Sequence, residues 1–381
     1  MLKDRVVAVI FEGGNPRSDI EVKMSRVRKG VALDNITKAL DCPEIDGVIL
    51  STNFPDLGAR AAEIGAQIDA TDSEHFHFGR HLAWVVEEFG LDNVIYFGGA
   101  ALPLMRVEDL SWVARRLKEL KNVVVVNNAQ SADLTAFTPA SILRHIDPPE
   151  ADNFMGYLLR EAGLRRVLIE NSARINLDVD TPSDLLVLDR CRGVGPETRR
   201  ALDAIDLPSN SLDAAIEVFS RRGHPYPEVA LIGRVGPAMM SVINANLPIR
   251  LRAFSEERGM KALRREEREE AISLIGFMIE EMGPESFFDH LGRICDLAII
   301  DTRVLFAHLR LFPSAPDRFY SDLGMEERIG DPFIRRFTKA ANEAPIPVVL
   351  GGHSMVYGGL WALLAENGLL ENPIPGIPGK S

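Results

Sequence analysis

Short apolar runs alternate with amphipathic stretches along the first half of the chain. The apolar runs are residues 5–11, 47–51, 93–97 and 122–126. The amphipathic stretches between them are residues 34–40, 79–89 and 107–120, with apolar side chains at intervals of three and four. This spacing is typical of one helix face, and near-continuous apolar strands are typical of a mostly parallel sheet covered on both sides. The pattern therefore predicts βα units.

The alternation pauses near residue 190. Residues 151–162 predict a further helix, and residues 167–189 predict a strand, a turn and a helix capped near Thr181 with Pro182 in its first turn. The stretch after Asp189 is polar and rich in Gly and Pro, which favours a boundary. We expect a first domain at 1–192, a second, smaller α/β domain at 200–370 and a loose tail at 371–381.

The second half starts the alternation again. Residues 228–259 predict strand, glycine turn, helix and strand, and residues 261–282 predict a long charged helix. Residues 297–308 predict another strand, and residues 346–364 predict a strand, a glycine-rich turn and a helix. The fold class expected for the whole chain is therefore α/β.

Composition narrows the function classes. The chain is 46% apolar and 26% charged, which is typical of globular proteins. Its length of 381 residues favours two domains. The net charge of −12 disfavours nucleic acid or an anionic membrane as a partner. No run of eighteen apolar residues and no leader-like start occurs, so we expect a cytoplasmic protein with buried free thiols at its three cysteines, and homo-oligomerisation stays open.

A glycine pair follows the first predicted strand. Gly13 and Gly14 let the backbone approach a ligand closely, and the amides of such a turn can bind phosphate. We expect Asn15 in the same loop, and Asn53 after the second strand, to take part in nucleotide binding. By itself, such a pair after a strand is more often a plain turn.

The order of these features resembles the MobA, CofC and KdsB group of nucleotidyltransferases over residues 5–190. The resemblance rests on FEGGNPR, ILSTN, VIYFGGAALPLMRVEDL and the motif INLDVDTPSDLLVLD. It implies a GT-A-like fold, a nucleoside triphosphate held by the glycine loop with Arg17 and Lys23, and magnesium bound by Asp180 as the preferred ligand, with Asp178 as the second candidate. The implied reaction transfers a nucleoside monophosphate to a small phosphorylated or carboxylated acceptor.

One departure from that group concerns the metal. Its Gly-Asp-x-Pro turn appears here as residues 100–103, with Ala101 at the carboxylate position. Asp133 follows a strand and is a candidate replacement, and open α/β sheets place ligands at such strand ends. Further candidates for contacts with the second substrate are Asn128, Asp152 and Asn153, although an Asp at a helix start is ordinarily a cap.

Polar residues also gather in the predicted loops of the second half. Gly233 lies in a strand-to-helix turn, although the full three-glycine nucleotide fingerprint is absent. His353 and Ser354 lie in a glycine-rich turn whose amides could bind an anion, and the turn lacks the Gly-x-Ser-x-Gly elbow of hydrolases. The other candidates are Arg303, His308, Asp317 and Arg318.

Three hypotheses follow. The first is a magnesium-dependent nucleotidyltransferase acting on a nucleoside triphosphate and a small acceptor. The second is a non-catalytic protein that binds a nucleotide or sugar nucleotide, which would account for Ala101. The third is an enzyme whose active site lies in the C-terminal α/β domain. A replacement carboxylate beside Ala101 would favour the first hypothesis, and a ligand near Gly233 or His353 the third.

Overall fold

The computed structural model describes residues 5–72, 76–208 and 210–370, so the predicted tail at 371–381 lies outside the described residues. The first half forms one seven-stranded sheet. Its strands are β1 (Val6–Phe11), β2 (Gly47–Thr52), β3 (Gln67–Ala70), β4 (Asn93–Gly98), β5 (Val123–Val126), β6 (Leu134–Thr138) and β7 (Arg165–Leu168). Their order is β3-β2-β1-β4-β6-β5-β7, and β6 runs antiparallel to both of its neighbours. The predicted mostly parallel sheet is confirmed.

Helices cover this sheet and lead out of it. They are α1 (Asp19–Leu40), α2 (Pro55–Glu63), α3 (Phe78–Glu88), α4 (Val107–Glu119), α5 (Met155–Glu161), α6 (Pro182–Arg190), α7 (Pro196–Asp203) and α8 (Asn210–Ser220). Short 3-10 turns lie at Ala140–His145, Asp152–Phe154 and Ala173–Ile175. The predicted cap of α6 is confirmed, because the Thr181 hydroxyl and the Asp184 carboxylate form a capping box.

A second, smaller sheet of four parallel strands follows. Its strands are β8 (Glu228–Gly233), β9 (Arg250–Ser255), β10 (Leu297–Asp301) and β11 (Val348–Gly351), in the order β11-β10-β8-β9. The helices are α9 (Pro237–Asn246), α10 (Leu274–Gly292), α11 (Thr302–His308), α12 (Ala315–Asp322), α13 (Pro332–Asn342) and α14 (Gly358–Glu366), with 3-10 turns at Glu326–Arg328 and His353–Val356. The predicted α/β class is confirmed in this half too.

Helices of the first half share a hydrophobic core with the second sheet. One buried cluster joins Val27 and Val31 of α1 and Leu185 of α6 to Leu231 of β8 and Leu360 of α14. An interface of this apolar kind holds two units in a fixed arrangement, whereas polar interfaces permit movement. The predicted burial of the three cysteines is confirmed, since Cys42, Cys191 and Cys295 are buried and free. Within the described part of the chain, no helix combines the length and the apolar character needed to cross a bilayer.

The predicted charged helix at 261–282 is wrong in its first half. Residues 258–269 form consecutive turns, with positive φ at Gly259, Arg264 and Glu269, and α10 begins only at Leu274. The turn segment is polar on nearly every side and has few apolar residues to bury, so packing does not stabilise a helix there. The predicted strand at 297–308 is also too long, because β10 ends at Asp301 and α11 follows.

The basic stretch after the glycine pair is helical. Ser18 caps α1 through a capping box with Glu21, so the loop after β1 is confined to residues 12–18. Arg26, Arg28 and Lys29 therefore lie on a helix, and successive basic residues point in different directions around it. Only the helix face turned to the sheet can serve a site at the carboxyl end of β1.

Candidate functional site

The glycine loop is fastened to the segment after β2. The Gly14 amide donates to Asn53 Oδ1 at 2.9 Å, and Asn53 Nδ2 donates to the Gly14 carbonyl at 2.8 Å. A Cβ atom at position 13 would lie 2.6 Å from Asn53 Oδ1, so this approach requires glycine at Gly13. Gly13, Gly14 and Asn15 line one pocket with Glu12, Arg28 and Asp180. The structure thus brings the predicted loop residues and Asp180 together.

A buried ion pair lies directly behind this loop. Arg28 Nε donates to Glu12 Oε1 at 3.0 Å and Nη2 donates to Oε2 at 3.1 Å, while the Glu12 side chain is 1% exposed. Arg28 Nη1 donates to the Val179 carbonyl at 2.7 Å. Because Glu12 raises the pKa of Arg28 against the effect of burial, the guanidinium stays charged. Arg28 thereby links the end of β1 to the segment between Asp178 and Asp180.

Ala101, where the resemblance implies a metal carboxylate, pairs with the residue two positions before Asp180. Ala101 and Asp178 form an antiparallel bridge, and the Leu102 amide donates to the Leu177 carbonyl at 3.0 Å. Asp178 Oδ1 accepts from the Val179 amide at 2.8 Å. A carboxylate is therefore present opposite the methyl group of Ala101, on the same segment as Asp180.

Four aspartates interact electrostatically at this edge of the first sheet. Burial, followed by the charges of Asp180 and Asp133, raises the pKa of Asp178 well above its ordinary value. Burial, followed by the Asp180 charge, also raises the pKa of Asp152. Burial raises the pKa of Asp133 to about 7, with a contribution from Asp180, although Asn127 Nδ2 donates to it at 3.2 Å. The cluster therefore carries more potential negative charge than it can hold ionised.

Asp180 is the member of this cluster that stays ionised. Desolvation by the surrounding protein disfavours the charged form of Asp180. The nearby cations Lys261, Arg28 and Arg234 outweigh this effect and lower the pKa of Asp180. The side chain itself is exposed and lines both the glycine-loop pocket and a second pocket on its other side. Asp180 thus stands where two pockets meet.

The second pocket lies between the carboxyl edges of the two sheets. The first half of the chain and the second half both line it; the residues are Asn128, Gln130, Ser131, Asp133, Asn153, Asn176, Asp178, Asp180, Arg234, Arg258, Gly259, Met260, Lys261, Ala262, His353, Ser354 and Tyr357. The turn segment that replaces the predicted charged helix supplies five of them. The pocket combines a carboxylate wall from the first sheet with a cationic wall from the second.

The glycine-rich turn after β11 packs against the motif segment. A Cβ at position 358 would lie 1.8 Å from the Asn176 carbonyl oxygen, so the start of α14 touches that backbone. Ser183 Oγ donates to the Leu350 carbonyl at 3.0 Å across the same interface. His353 stacks on Tyr357 with ring centroids 5.4 Å apart, and burial followed by the Arg234 charge lowers its pKa to about 4. His353 is therefore neutral at physiological pH.

Several sequence-predicted residues lie away from both pockets. Lys23 Nζ donates to the Asp206 carbonyl at 3.2 Å on another face of α1, and Arg17 is exposed at the loop end, where its amide donates to Glu21. Asp317 accepts from the amides of Gly330 and Asp331 and closes a loop.

The remaining second-half candidates have structural contacts. Arg303 donates to Asp322 and to Thr302 Oγ1, and half-buried Arg318 lies in its field. His308 Nδ1 accepts from the Ser273 amide at 3.1 Å. Gly233 has a φ of +112°, and a Cβ there would lie 2.6 Å from the Asp301 Cβ. These residues support the second sheet and do not line the pocket.

The sequence predictions did not single out three of the pocket's cations. Arg234 directly follows the predicted turn at Gly233, so its position in the sequence could have marked it as a candidate. Arg258 and Lys261 lie in a run of mixed charges that is typical of a solvated helix, so the sequence carried no signal for them. Among the described residues, no group of three or more His, Cys, Asp or Glu side chains could hold a metal ion.

Comparison with known proteins shows no family for this chain. No family model and no curated protein matches the chain. The first half of the chain is an α/β unit with a seven-stranded, mostly parallel sheet in which β6 is antiparallel. Solved structures that align with it include a nucleotidyl transferase from Methanothermobacter, with 14% identity, 53% of this chain, 99% of that chain and a TM-score of 0.40.

Two further structures align over the same half. One is a cytidylyltransferase from Leptospira borgpetersenii, with 15% identity, 53% of this chain, 93% of that chain and a TM-score of 0.38. The other is a CMP:2-keto-3-deoxy-manno-octonic acid synthetase complexed with CTP, with 18% identity, 52% of this chain, 98% of that chain and a TM-score of 0.32. The function of the pockets is therefore inferred from their own side chains.

Proposed function

We propose that this protein is a magnesium-dependent nucleotidyltransferase that moves a nucleoside monophosphate from a nucleoside triphosphate to a small phosphorylated or carboxylated acceptor. The observation that carries the proposal is the position of Asp180. It lies beside the fastened glycine loop, on a segment whose backbone Arg28 binds, and it faces a second pocket on its other side. A donor nucleotide in the first pocket and an acceptor in the second would meet at this carboxylate.

The donor set fits magnesium. Asp178 and Asp180 offer hard oxygen ligands, and magnesium is usually held by one or two carboxylates together with substrate phosphates and water. Burial, followed by the charges of Asp180 and Asp133, raises the pKa of Asp178, and a bound cation would favour its ionised form. When bound, the metal would neutralise charge on the phosphates and align them for in-line transfer.

The chain's own residues have distinct roles in this proposal. The backbone of Gly13 and Gly14 borders the pocket proposed for the triphosphate, and Arg28 keeps its charge behind the loop. An acceptor phosphate or carboxylate is already ionised at neutral pH, so its oxygen attacks the α-phosphorus without a general base. The bond from the α-phosphorus to the bridging oxygen breaks, and pyrophosphate leaves with the electron pair. Residues around Asp180 therefore supply position and charge rather than covalent chemistry.

A non-catalytic nucleotide-binding protein is the second candidate, and Ala101 favours it. The methyl group removes one metal ligand that the motif's resemblance implies, so a nucleotide could bind without turning over. The carboxylate of Asp178 opposite Ala101 favours catalysis instead. An active site confined to the second sheet is a third candidate, and the position of His353 and Arg234 in the shared pocket favours it.

The test is a calorimetric titration of the purified protein with ATP, GTP, CTP and UTP, each with and without magnesium. We expect magnesium-dependent binding of at least one triphosphate, and we expect Asp180→Asn to weaken it about tenfold or more, because a charged ligand of the cation is lost. The matched control is Asp189→Asn, which removes an exposed carboxylate of α6 that is paired with Arg199. Binding of no triphosphate, or equal binding by Asp180→Asn, would refute the proposal.

Pyrophosphate release then separates an enzyme from a binding protein. The nucleotide that binds is mixed with a panel of phosphorylated and carboxylated small molecules, and free pyrophosphate is measured. Acceptor-dependent release that Asp180→Asn abolishes supports transfer. Binding without release for every acceptor would favour the non-catalytic candidate.

A further inference from the structure

The second sheet has its own ligand-binding position. The chain passes from β8 to β9 on one side and then crosses to β10 on the other, so the direction of winding reverses between β8 and β10. Open α/β sheets bind ligands outside the carboxyl ends of the strands at such a reversal. Arg234 follows β8 and Asp301 ends β10, and they are joined by a buried ion pair with Nε–Oδ2 at 2.6 Å and Nη2–Oδ1 at 3.0 Å. Arg234 lines the pocket that contains Asp180.

Two further cations project from the turn segment into this pocket. Arg258 lies close enough to influence His353 and Tyr357, and Lys261 close enough to influence Asp133, Asp152 and Asp180. In residues 5–72, 76–208 and 210–370, neither cation has a carboxylate within ion-pair distance.

Their neighbours along the segment are paired with carboxylates. Arg264 contacts Glu150 and Glu267, and Arg265 contacts Glu257 and Glu270. Arg258 and Lys261 thus differ from Arg264 and Arg265 in both direction and pairing. Two unpaired cations at the mouth of a pocket are suited to an anionic group of a ligand.

We propose that the second sheet forms the acceptor site, in which Arg258 and Lys261 bind an anionic group, a phosphate or a carboxylate, of the acceptor. This inference rests on the proposed function for the identity of the ligand as an acceptor. The oxygen that attacks the α-phosphorus is then held between the cationic wall and Asp180. The polar side chains of Asn128 and Asn153 line the same pocket and can bind the rest of a small polar molecule.

Direct packing fixes the position of this acceptor site relative to Asp178 and Asp180. A Cβ at position 352 would lie 2.8 Å from Thr181 Cγ2, so the turn after β11 sits on the residue next to Asp180. Thr181 is 3% exposed and belongs to the capping box of α6. A small error in the position of two reactants costs much of the rate, so a rigid support is what transfer requires. The second half of the chain thereby acquires a defined role.

The experiment uses inorganic phosphate as the probe for the anion site. Phosphate is titrated into the full-length protein and followed by 31P NMR at low ionic strength, alone and with the magnesium triphosphate present. The variants are Arg258→Ala with Lys261→Ala, the charge-preserving Arg258→Lys with Lys261→Arg, and the control Arg268→Ala, an exposed cation of the same segment that does not line the pocket. Thermal unfolding by circular dichroism verifies that each variant is folded.

We expect the double alanine variant to bind phosphate at least tenfold more weakly than the wild type, since two charge-assisted contacts are lost. Binding by the charge-preserving variant and by Arg268→Ala should stay within about threefold. Phosphate should bind together with the triphosphate. Equal phosphate binding by the double alanine variant, or displacement of phosphate by the triphosphate, would overturn the inference. If the wild type binds no phosphate, the titration is repeated with 13C-labelled acetate. Acetate binding that depends on Arg258 and Lys261 would identify the anion as a carboxylate, and binding of neither anion would overturn the inference.

Failure of the proposed function gives a different result. If no triphosphate binds but phosphate binding still depends on Arg258 and Lys261, the result supports the anion site and refutes the proposed transferase function. If triphosphate binding is intact in the double alanine variant while acceptor-dependent pyrophosphate release is lost, both hold.

Discussion

Replacing Arg28 by methionine should destabilise the folded protein by about 3 kcal/mol. The substitution leaves the Glu12 carboxylate, whose side chain is 1% exposed, without either of its two charge-assisted hydrogen bonds. Removing one partner of a buried ion pair costs about 3–5 kcal/mol. Because the Arg28 side chain itself keeps 30% exposure, water can partly replace it, and the lower end of that range applies. The free energy of unfolding is measured by urea titration with circular dichroism.

Two further variants make this prediction sharp. Lys29→Met removes the next cation of α1, whose partner Asp56 is 68% exposed, and an exposed pair contributes at most about 1 kcal/mol. Adding Glu12→Gln to Arg28→Met removes the stranded charge and should recover about half of the loss or more. If Arg28→Met costs no more than Lys29→Met, or if Glu12→Gln deepens the loss, the reasoning from a buried pair is refuted.

Two other predictions concern the pockets. Burial, followed by the Arg234 charge, lowers the pKa of His353 from 6.5 to about 4. Between these pH values the unfolded chain binds more protons than the folded protein does. The contribution of His353 to stability is therefore complete above about pH 6.5 and is lost as the pH falls toward 4. His353→Gln should therefore lose less unfolding free energy than the wild type between pH 7 and pH 4.5 in urea titrations, and identical losses would contradict the assignment. Gly13→Ala forces Asn53 away from Gly14 and should weaken triphosphate binding about tenfold by calorimetry. The control Gly47→Ala meets no atom closer than 3.7 Å and should bind normally, and unchanged binding by Gly13→Ala would count against the loop as the nucleotide site.

The sequence alone was sufficient for much of the fold. The apolar runs of β1, β4 and β5 and the amphipathic helices between them predicted a mostly parallel sheet, and the structure has one. The cap at Thr181 was equally clear, because a capping box depends on residues three positions apart. The resemblance also brought Gly13, Gly14 and Asp180 forward as one site, and the structure brings them together. The strands, the helices and the cap each depend on residues that are close together in the sequence.

The structure was needed where partners are distant in sequence. A run of charges around Lys261 predicted a solvated helix, yet it folds as turns whose cations face carboxylates more than a hundred residues away. Arg28 and Lys23 are alike in the sequence, and only the rotation of α1 directs one to Glu12 and the other to the Asp206 carbonyl. The pairing of Ala101 with Asp178 likewise depends on the packing of two distant segments. Local patterns determine strands, helices and caps through neighbouring residues, whereas the charge balance of a pocket depends on which distant segments the core brings together.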